Sequence, residues 1–290
     1  MNNTAIQDKV SIYIPTYNRK DLLIRAINSV LGQSHKNLEV IVVDDNSSDG
    51  TETIMKTMVN EDDRVVYLRN TKNRGACHSR NRAIEIATGK FVTGLDDDDY
   101  FLPSRISDFI NEWNTLGENV IGLYSNKSIK LGVENFIKSS TKEYSHLEDI
   151  MVANSVGNQI FTLRSTFSNT VKYDEGLKSW QDLDMWINIL SSYKGTCLKN
   201  TGCYNYVLDK SHPHERISSP RVDKHLSSLG RISGKYSLLK RQSSLLRCQA
   251  YVYNARSIGL PKLLSDVITS RSFYVAGRMA KYYITNKKSH

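Results

Sequence analysis

Short apolar runs divide the first hundred residues of the chain into a repeating pattern. Each run is of strand length, and near-continuous apolar strands are typical of a sheet that is covered on both faces. Segments with helical spacing separate the runs, and this alternation favours a parallel α/β sheet. The apolar runs cover residues 10–14, 38–43, 65–68 and 91–95. The sequence therefore predicts a doubly wound fold.

The segments between the predicted strands carry apolar residues at helical spacing. Gly32 is predicted to stop the first helix, and Pro15 is predicted to end the first strand. The predicted helices cover residues 22–31, 52–59, 80–87 and 182–190. In a doubly wound sheet, ligands bind beyond the carboxyl ends of the strands. The polar clusters that follow the first, second and fourth runs all lie at such ends.

The charge of the chain is unevenly distributed. The whole chain has a net charge of +9. The residues from Lys210 onward include 16 Lys and Arg against 3 Asp and Glu, a net charge of +13, which leaves −4 for the residues before them. Beyond Arg221 the pattern predicts two or three amphipathic helices with a break near residues 259–261. An acidic front and a basic tail indicate two separate roles.

The basic tail admits three interpretations. Its charge would attract anionic lipid headgroups, at about 1 kcal/mol for each nearby Lys or Arg. It would also attract nucleic acid, but no recognised nucleic-acid module is present, and we expect no nucleic-acid partner. A solvated helical face is the third interpretation. We favour peripheral contact with an anionic membrane.

The cysteines and the hydropathy of the chain indicate its compartment. The four cysteines, Cys77, Cys197, Cys203 and Cys248, lack metal-ligand spacing and are typical of free thiols in a reducing compartment. The first nine residues are polar, and no run of about 20 apolar residues occurs. We therefore expect a cytoplasmic protein, peripheral on the cytoplasmic face of the inner membrane.

Four consecutive aspartates, residues 96–99, follow the fourth apolar run. Carboxylates at this spacing repel one another and raise each other's pKa unless a cation offsets their charge. Oxygen ligands suit Mg²⁺ or Mn²⁺, and such an ion can bridge carboxylates and a diphosphate. The aspartates thus indicate a divalent metal site. The alternative is a solvated acidic turn or a helix N-cap before Pro103.

Three further clusters in the same half suit a nucleotide. In the 44–50 cluster, a carboxylate just past the strand can accept hydrogen bonds from a base or a ribose, although its residues also form turns. Tyr17, in the 15–19 cluster, has an aromatic ring that can stack on a base. Arg74 and Arg80 can pair with phosphate. Each cluster is ambiguous alone, and their order along the chain is the specific signal.

This order resembles that of the family-2 glycosyltransferases, the large GT-A-fold group that builds bacterial polysaccharides and O-antigens. The matching segments are 15–19, 43–51, 73–75 and 95–99, followed by Pro103. The match is dense over residues 8–110 and looser over 111–220. The resemblance implies an α/β GT-A fold with a nucleotide-sugar half at 1–110, an acceptor half at 111–220 and a basic helical region at 221–290.

The resemblance also implies an activity. The chain would transfer a sugar from a UDP-sugar donor to an acceptor hydroxyl, with inversion at the anomeric carbon and with Mn²⁺ or Mg²⁺ as cofactor. The acceptor would be a saccharide linked to a lipid diphosphate in O-antigen or capsule synthesis.

Roles at the nucleotide follow from the resemblance. Tyr17 would stack on uracil, and Asp45 would accept its ring N–H. Asp96 would hold the ribose or a metal-bound water, and Asp98 would bind the metal directly, although four consecutive aspartates also allow a register shifted by one residue. The residues that the resemblance places at the nucleotide are Pro15, Thr16, Tyr17, Arg19, Asp45, Arg74, Asp96 and Asp97.

Residues 180–186 look like the family's Glu-Asp motif at the start of a helix, with Gln181 in the place of the usual Glu. The resemblance makes Asp182 the general base, which takes the proton of the acceptor hydroxyl as its oxygen attacks the anomeric carbon. Asp184 is the rival base, and the helix dipole favours both acids at a helix N-terminus. Trp180, Gln181 and Asp184 are candidates for contacts with the acceptor or the diphosphate.

A late segment, residues 211–218, lies where related enzymes carry a His and an Arg near the diphosphate. A histidine there would complete the metal shell, and an arginine would offset charge on the leaving group. His212 is preferred over His214 for the metal, and Arg216 is the candidate arginine. A solvent-exposed loop explains the segment equally well.

Two rival functions fit parts of the pattern. A sugar nucleotidyltransferase would carry a Gly-rich phosphate loop with a Lys after the first strand, and residues 15–18 do not form one. A non-catalytic protein that binds a nucleotide sugar would keep the fold without turnover. The effect of an Asp182→Asn substitution on transfer discriminates between the enzyme and the binding protein.

Overall fold

The computed structural model describes residues 8–158, 160–168, 171–212, 222–252 and 259–285. The chain groups into two compact units, and each is described by itself. The first unit comprises Met1–His146, Val156–Glu175 and Asn188–Pro213. The second unit comprises Leu147–Ser155, Gly176–Ile187 and His214–His290. The domain boundary at residue 220 stays a prediction.

The helices and strands are given in chain order. The elements up to residue 145 are β1 (Val10–Thr16), α1 (Lys20–Leu31), β2 (Leu38–Asp44), α2 (Thr51–Glu61), β3 (Val65–Arg69), α3 (Ala76–Ile86), β4 (Phe91–Gly94), β5 (Tyr100–Phe101), α4 (Arg105–Trp113), β6 (Val120–Tyr124), β7 (Lys127–Lys130), β8 (Phe136–Ser139) and β9 (Tyr144–Ser145). The later elements are α5 (Leu147–Val152), β10 (Phe161–Leu163), α6 (Gln181–Ser192), β11 (Cys197–Asn200), β12 (Tyr206–Asp209), α7 (Val222–Tyr236), α8 (Lys240–Tyr251), α9 (Leu260–Ser270) and α10 (Phe273–Thr285).

Four parallel strands form one half of the larger sheet of the first unit. The strand order is β3-β2-β1-β4-β10-β6-β11-β9. Strands β3, β2, β1 and β4 are parallel to their neighbours, whereas β10 runs antiparallel to both β4 and β6. A smaller sheet has the order β5-β12-β7-β8. The first four strands have the arrangement of a doubly wound fold, which confirms the predicted mostly parallel α/β sheet.

Helix α1 shows how the apolar pattern becomes the core of this unit. Its buried side chains are Leu23, Ala26, Ile27 and Val30, which recur at intervals of three and four residues and so lie on one face. They belong to the same buried cluster as Val10, Ile12 and Ile14 of β1 and Val40 and Val42 of β2. Full burial of a Leu, Ile or Val side chain contributes about 1.5–3 kcal/mol. As predicted, Gly32 directly follows the helix.

Strand β1 continues past the residue that was predicted to end it. Pro15 pairs in register with Val43, and Thr16 pairs with Asp44 of β2. In a strand, the backbone N–H and C=O groups of residues i and i+2 point to the same side. The carbonyl of Tyr13 points towards β4, because it accepts a hydrogen bond from Leu95 N, just after that strand. At position 15 a backbone N–H would therefore also point towards β4. The pairing of β1 with β4 ends at Tyr13, so Pro15, which has no N–H, leaves no hydrogen bond of that pairing unmade. The prediction was wrong by two residues because no ladder bond is lost there.

The basic tail contains more helices than the two or three predicted. Within the residues described after position 221 there are four, α7 to α10, and α8 contacts α5, α7, α9 and α10. The predicted break near 259–261 is the start of α9, where Gly259 precedes the helix and Pro261 lies in its first turn. Ser237 and Arg271 have φ of 48° and 50°, so backbone turns without glycine follow α7 and α9. A pattern based on Gly and Pro does not reveal such turns.

None of the helices in the described parts of the chain has the length and apolar character needed to cross a bilayer. This agrees with the absence of a long apolar run in the sequence.

Buried Glu39 joins β2 to the segment before β4 and makes the stability of the first unit depend on pH. Its carboxylate accepts bonds from Thr88 N at 2.7 Å, Thr88 Oγ1 at 2.8 Å and Lys9 Nζ at 2.7 Å, and from Ser11 Oγ. Burial alone would raise the pKa of Glu39, but these bonds outweigh it and lower the pKa to about 2. Because the folded pKa lies below the unfolded one, Glu39 stabilises the fold at neutral pH. This stabilisation is lost as the pH falls from about 4.5 towards 2.

We expect the Glu39→Gln substitution to reveal this dependence. The difference in free energy of unfolding between the wild type and Glu39→Gln should be about 3 kcal/mol near neutral pH. It should shrink by about 2 kcal/mol between about pH 6 and pH 3. Urea unfolding at both pH values measures it, and Glu61→Gln, at an exposed position, is the control. A difference that does not change with pH would contradict the assignment.

Candidate active site

The carboxyl ends of β1, β2 and β4 meet at one edge of the larger sheet. Asp45 N donates to the carbonyl of Thr16 at 2.9 Å, which ties the residue after β2 to the end of β1. Thr16 Oγ1 donates to Asp97 Oδ2 at 2.8 Å, which ties the aspartate run after β4 to the same point. The three polar clusters of the sequence therefore lie together in space, as the parallel topology predicts.

The aspartate run forms a tight turn between β4 and β5. Asp99 N donates to the carbonyl of Asp96 at 3.0 Å and closes the turn. Ligand atoms of Asp96, Asp98 and Asp99 all lie within 4.8 Å of one another. We call these three residues the aspartate cluster. Asp97 is not a member of it.

The electrostatics of the aspartate cluster suit a divalent cation. Asp99 is buried, and its oxygens accept bonds from Tyr206 OH at 2.6 Å and Asp209 N at 2.9 Å. Burial, followed by the neighbouring charges of Asp98 and Asp96, raises the pKa of Asp99 well above its usual range. A cation among the three carboxylates would offset this repulsion. A donor set of oxygens alone fits Mg²⁺ or Mn²⁺.

Asp96 is held by two side chains from distant segments. Arg80 Nη2 donates to Asp96 Oδ1 at 2.9 Å, and Asn158 Nδ2 donates to the same oxygen at 2.7 Å. Burial opposes the charge of Arg80, but Asp96 and further neighbouring groups together outweigh it, and the pKa of Arg80 is raised. Arg80, which the sequence offered as a partner for phosphate, is thus buried and paired with Asp96.

Asp97 turns towards β1. Besides the bond from Thr16, its carboxylate accepts a bond from Arg19 Nη1 at 3.0 Å. The same Arg19 nitrogen lies 3.5 Å from Asp98 Oδ2, so Arg19 bridges the two neighbouring aspartates. Burial raises the pKa of Asp97 to about 6, with Arg19 opposing this rise and Asp98 adding to it. Arg19 and Asp97 therefore border the aspartate cluster without belonging to it.

Asp45 organises the loop between β3 and α3. Its Oδ1 accepts bonds from Asn70 Nδ2 at 2.7 Å and Arg74 N at 2.8 Å, and its Oδ2 accepts one from Gly75 N at 2.6 Å. Gly75 has φ of 89°, a conformation that favours glycine, and α3 begins directly after it. Helix α3 thus begins at Ala76, four residues earlier than predicted. The sequence did not reveal that a carboxylate from another loop holds this turn.

Two candidate nucleotide contacts lie at the surface of the first unit. The ring of Tyr17 follows β1 directly and is 47% exposed. The guanidinium of Arg74 is also 47% exposed and lies 3.3 Å from Glu175. Glu175 also contacts His78 Nδ1 at 3.1 Å. An exposed aromatic face and an exposed cation on neighbouring loops are suited to a base and a phosphate.

His212 lies in a polar network next to the aspartate cluster. Its Nε2 is 3.0 Å from Arg25 Nη1 and 3.2 Å from Asp209 Oδ2. Arg25 also donates to the backbone carbonyl of Asp98 at 2.6 Å, which links the network to the cluster. His212 itself is not a member of the aspartate cluster. The other two candidates of this segment, His214 and Arg216, lie outside the described residues.

In the second unit, the two acids at the start of α6 have different surroundings. Asp182 is partly exposed, and its Oδ2 accepts a bond from Asn154 Nδ2 at 2.7 Å. Asp184 is fully buried and pairs with Lys235 Nζ at 2.8 Å. A carboxylate that is oriented by an amide and reaches solvent is suited to accept a proton, whereas Asp184 links α6 to α7.

The residues just before Asp182 fix how the chain enters α6. Trp180 has φ of 59°, a left-handed conformation that costs about 1–3 kcal/mol for a bulky residue. Its ring stacks on His225, with centroids 5.1 Å apart. Gln181 Nε2 donates to the carbonyl of Leu177 at 3.0 Å. Strained backbone of this kind is often found at functional sites.

Several residues of the site were missed by sequence reasoning. Asp99 was inside the recognised run, and only its role was missed. Asn158, Tyr206 and Arg25 stand far from that run in the chain and belong to no pattern, so a single sequence holds no signal for them. Their positions follow only from the packing of β12, α1 and the segment before β10.

Comparison with known proteins identifies the class of protein. The model of "Glycosyl transferase family 2" matches residues 11–167, which include every strand-end cluster described above. The chain therefore belongs to glycosyl transferase family 2. The resemblance seen in the motifs is confirmed.

Curated relatives extend the likeness beyond that domain. The putative colanic acid biosynthesis glycosyl transferase WcaA of Escherichia coli K12 is 34% identical over 242 residues, which cover 79% of this chain and 85% of the relative. The E. coli enzyme named UDP-Glc:alpha-D-GlcNAc-diphosphoundecaprenol beta-1,3-glucosyltransferase WfaP is 34% identical over 194 residues, covering 66% of this chain and 73% of its own.

Solved structures confirm the fold. S. aureus TarS in complex with UDP-GlcNAc gives a TM-score of 0.63 at 21% identity and covers 90% of this chain and 79% of that one. The mannosyltransferase PcManGT of Pyrobaculum calidifontis, in complex with GDP-Man and Mn²⁺, gives a TM-score of 0.54 at 16% identity. The match covers 98% of this chain and 88% of PcManGT. The chain is an α/β transferase of the GT-A fold with C-terminal helices.

Proposed function

We propose that this glycosyltransferase moves a sugar from a UDP-sugar to a hydroxyl of a lipid-linked saccharide during surface polysaccharide synthesis. The observation that carries the proposal is the aspartate cluster, in which Asp96, Asp98 and Asp99 converge within 4.8 Å at the carboxyl end of β4. Crowded carboxylates at a ligand-binding edge suit a diphosphate only when a divalent cation lies between them.

The uridine nucleotide is supported by the surroundings of the cluster and by the relatives. Tyr17 offers an exposed ring to the base, and Asp45 fixes the loop that carries Arg74. Asp45, which still has acceptor capacity, is proposed to receive the ring N–H of uracil. The name of the WfaP relative specifies UDP-Glc, and TarS structures contain UDP and UDP-GlcNAc.

The metal site is proposed to consist of the aspartate cluster. Bound Mn²⁺ or Mg²⁺ would offset the charge that develops on the leaving diphosphate. Arg19 holds Asp97 and approaches Asp98, so it keeps the turn in place and supplies a positive charge beside the cluster. His212 is proposed to approach the diphosphate from the network around Asp209.

The reaction is proposed to be inverting, with Asp182 as the single general base. Asp182 would take the proton of the acceptor hydroxyl while that oxygen forms a bond to the anomeric carbon. The bond from the anomeric carbon to the diphosphate breaks at the same time, and its electron pair leaves on UDP. The bond from Asn154 orients Asp182, and the strained turn at Trp180 fixes the start of its helix. Gln181 is proposed to contact the acceptor.

The acceptor is proposed to be a saccharide on a lipid diphosphate. The name of WfaP specifies a diphosphoundecaprenol acceptor, and WcaA is named for colanic acid biosynthesis. A lipid acceptor would bring the reaction to a membrane surface, and the basic tail suits the anionic cytoplasmic leaflet. We therefore propose a peripheral enzyme on the cytoplasmic face of the inner membrane.

A panel of UDP- and GDP-sugars tests the donor. We expect one or more UDP-sugars with Mn²⁺ to raise the melting temperature, because a ligand at about a hundred times its Kd adds about 2.7 kcal/mol to the stability of the folded state. Slow hydrolysis of the same donor should release UDP and the free sugar, because glycosyl transfer breaks the bond to the anomeric carbon. Nucleotidyl chemistry would instead break the phosphoanhydride bond and release UMP and a sugar 1-phosphate. Differential scanning fluorimetry and product chromatography provide the measurements.

The controls are the same sugars with EDTA in place of Mn²⁺, and UDP alone. Stabilisation by GDP-sugars only would refute the uridine donor. No stabilisation by any member of the panel, with or without metal, would refute the proposed function as a whole.

A further inference from the structure

Helix α9, in the second unit, exposes a continuous apolar stripe. Leu260, Leu264 and Ile268 are 46%, 50% and 74% exposed. They stand four residues apart, so their side chains lie one above another on the same side of the helix. Three large aliphatic side chains in a row differ from the scattered single apolar residues of an ordinary surface.

The opposite side of α9 is fixed to α8. Leu263 and Asp266 are buried there, and Asp266 Oδ1 accepts a bond from Arg247 Nε at 2.7 Å. Asp266 Oδ2 accepts one from Tyr251 OH at 2.6 Å. Ser244 Oγ also donates to Oδ1, at 3.2 Å, so this buried carboxylate has three partners on α8, and together they set the rotation of α9 about its axis. The stripe therefore points outwards as a consequence of the packing and cannot turn inwards without breaking these bonds.

Aromatic side chains continue the exposed apolar surface beyond the stripe. Phe273, the first residue of α10, is 98% exposed, and Tyr274 is 65% exposed. They follow Arg271, whose left-handed conformation turns the chain between the two helices. Amphipathic segments that lie in a membrane interface combine such aliphatic and aromatic residues with basic ones.

The charges beside this surface are positive. Between Leu260 and Thr285 the sequence contains four basic residues and one acidic residue, and the acidic one, Asp266, is buried. Lys262 on α9 and Arg271 after it are exposed. Anionic lipid headgroups complement this charge. Two copies of the chain meeting through the stripe would instead bring their basic tails together, which like-charge repulsion opposes.

We propose that Leu260, Leu264, Ile268 and Phe273 form a membrane-docking surface that inserts into the interface of an anionic bilayer. The inference deepens the proposed function, since it rests on the lipid-linked acceptor and names the surface that brings the enzyme to it. Apolar side chains supply the insertion, and the basic residues supply attraction to the headgroups. The strength of binding increases with both contributions.

Flotation with vesicles tests the surface in the full-length chain. Vesicles of equal parts phosphatidylcholine and phosphatidylglycerol should bind the wild type, and vesicles of phosphatidylcholine alone should bind it far less. The triple variant Leu264→Ser, Ile268→Ser and Phe273→Ser should lower the partition coefficient on the mixed vesicles by on the order of tenfold or more, since each side chain contributes several buried CH₂ groups. All three positions are exposed, so the variant should fold normally.

A matched control replaces three exposed apolar residues of the first unit. Val59→Ser, Ile86→Ser and Val133→Ser remove side chains that are 37%, 40% and 90% exposed, and this variant should bind as the wild type does. An equal loss of vesicle binding in the α9 variant and the control variant would overturn the proposal. Unchanged binding by the α9 variant would also overturn it, as would wild-type binding that does not depend on phosphatidylglycerol. A wild-type dimer that the α9 variant separates, measured by light scattering, would show an interface between copies instead. Calorimetry with UDP and Mn²⁺ measures the donor affinity of each variant independently of vesicle binding. Loss of the membrane proposal is therefore distinguished from loss of the proposed glycosyltransferase function.

Discussion

Replacing Asp98 with alanine is expected to remove the metal-dependent part of the affinity for UDP. Asp98 is one of the three members of the aspartate cluster, and the loss of one carboxylate from three leaves an incomplete set of proposed ligands. Loss of a residue that only supports a ligand costs about 10–100-fold in metal affinity, so loss of a ligand should cost on the order of a hundredfold or more. Titration calorimetry of UDP with Mn²⁺ and with EDTA measures the difference.

The variant should remain folded. The substitution removes one partner of Arg19, but Arg19 keeps its bond to Asp97. It also removes a like charge beside Asp96 and Asp99, which relieves repulsion in the absence of metal. Thermal unfolding with EDTA, compared with the wild type, checks that the loss of affinity comes from the site and not from unfolding.

Asp97→Ala is the matched control one residue away. Asp97 points to Thr16 and Arg19 and stands outside the cluster, so the dependence of UDP affinity on Mn²⁺ should persist in this variant. The opposite result, with dependence lost in Asp97→Ala and kept in Asp98→Ala, would mean that the register of the motif is shifted by one residue. If the wild type binds UDP equally well with Mn²⁺ and with EDTA, the proposed metal site is refuted.

The meeting of the polar clusters that follow the strands of the first unit could be predicted from sequence, because it depends on patterns of neighbouring residues. Apolar runs of strand length that alternate with helical spacing determine a parallel sheet, and a parallel sheet brings the residues after each strand to the same edge. The meeting of Thr16, Asp45 and the aspartate run followed from this alone. The identity of the family followed from the order of the same clusters.

The direction of each carboxylate could not be predicted. The conformation of the turn, which the bond from Asp99 N to the carbonyl of Asp96 closes, determines which of the four aspartate side chains lie close together. The sequence left the register of the four aspartates open, and the turn places Asp99 with Asp96 and Asp98. Asn158 and Tyr206, which bind Asp96 and Asp99, lie 62 and 107 residues away in the chain. Contacts at such separations depend on packing that one sequence does not encode in any local pattern.

The aspartate cluster also shows how the chain tolerates charge in a buried place. Asp96 is bound to Arg80 and Asn158, and Asp99 to Tyr206 and the backbone of Asp209. These partners come from three segments of the chain, namely α3, the residues before β10, and β12, so the carboxylates are positioned before any ligand arrives. Positioning of this kind lowers the reorganisation that binding would otherwise require. The raised pKa of Asp99 reflects its burial first and then the repulsion from Asp98 and Asp96 that remains.

The largest effect on turnover is expected for Asp182→Asn. The asparagine is close in size to the aspartate and keeps one carbonyl oxygen that can accept the bond from Asn154, although the bond that Asp182 Oδ1 accepts from Leu183 N is lost. A neutral amide cannot take a proton from the acceptor, and a general base contributes about 10²–10⁴-fold to a rate. We therefore expect transfer to fall by that factor while the Kd for UDP with Mn²⁺ stays the same. Single-turnover assays with the donor identified by the panel, together with calorimetry, measure the two quantities.

Asp184→Asn, two residues along the same helix, separates this effect from damage to the helix. Asp184 is buried and paired with Lys235, whose side chain is 31% exposed, so its replacement removes the ion pair but leaves an ammonium that water still solvates, and the variant should remain folded. The rate per folded molecule should stay near that of the wild type, because Asp184 does not reach solvent. Unchanged transfer in Asp182→Asn would remove Asp182 from the mechanism. A collapse of transfer in folded Asp184→Asn would assign the base to Asp184 and would require α6 to open towards solvent during the reaction.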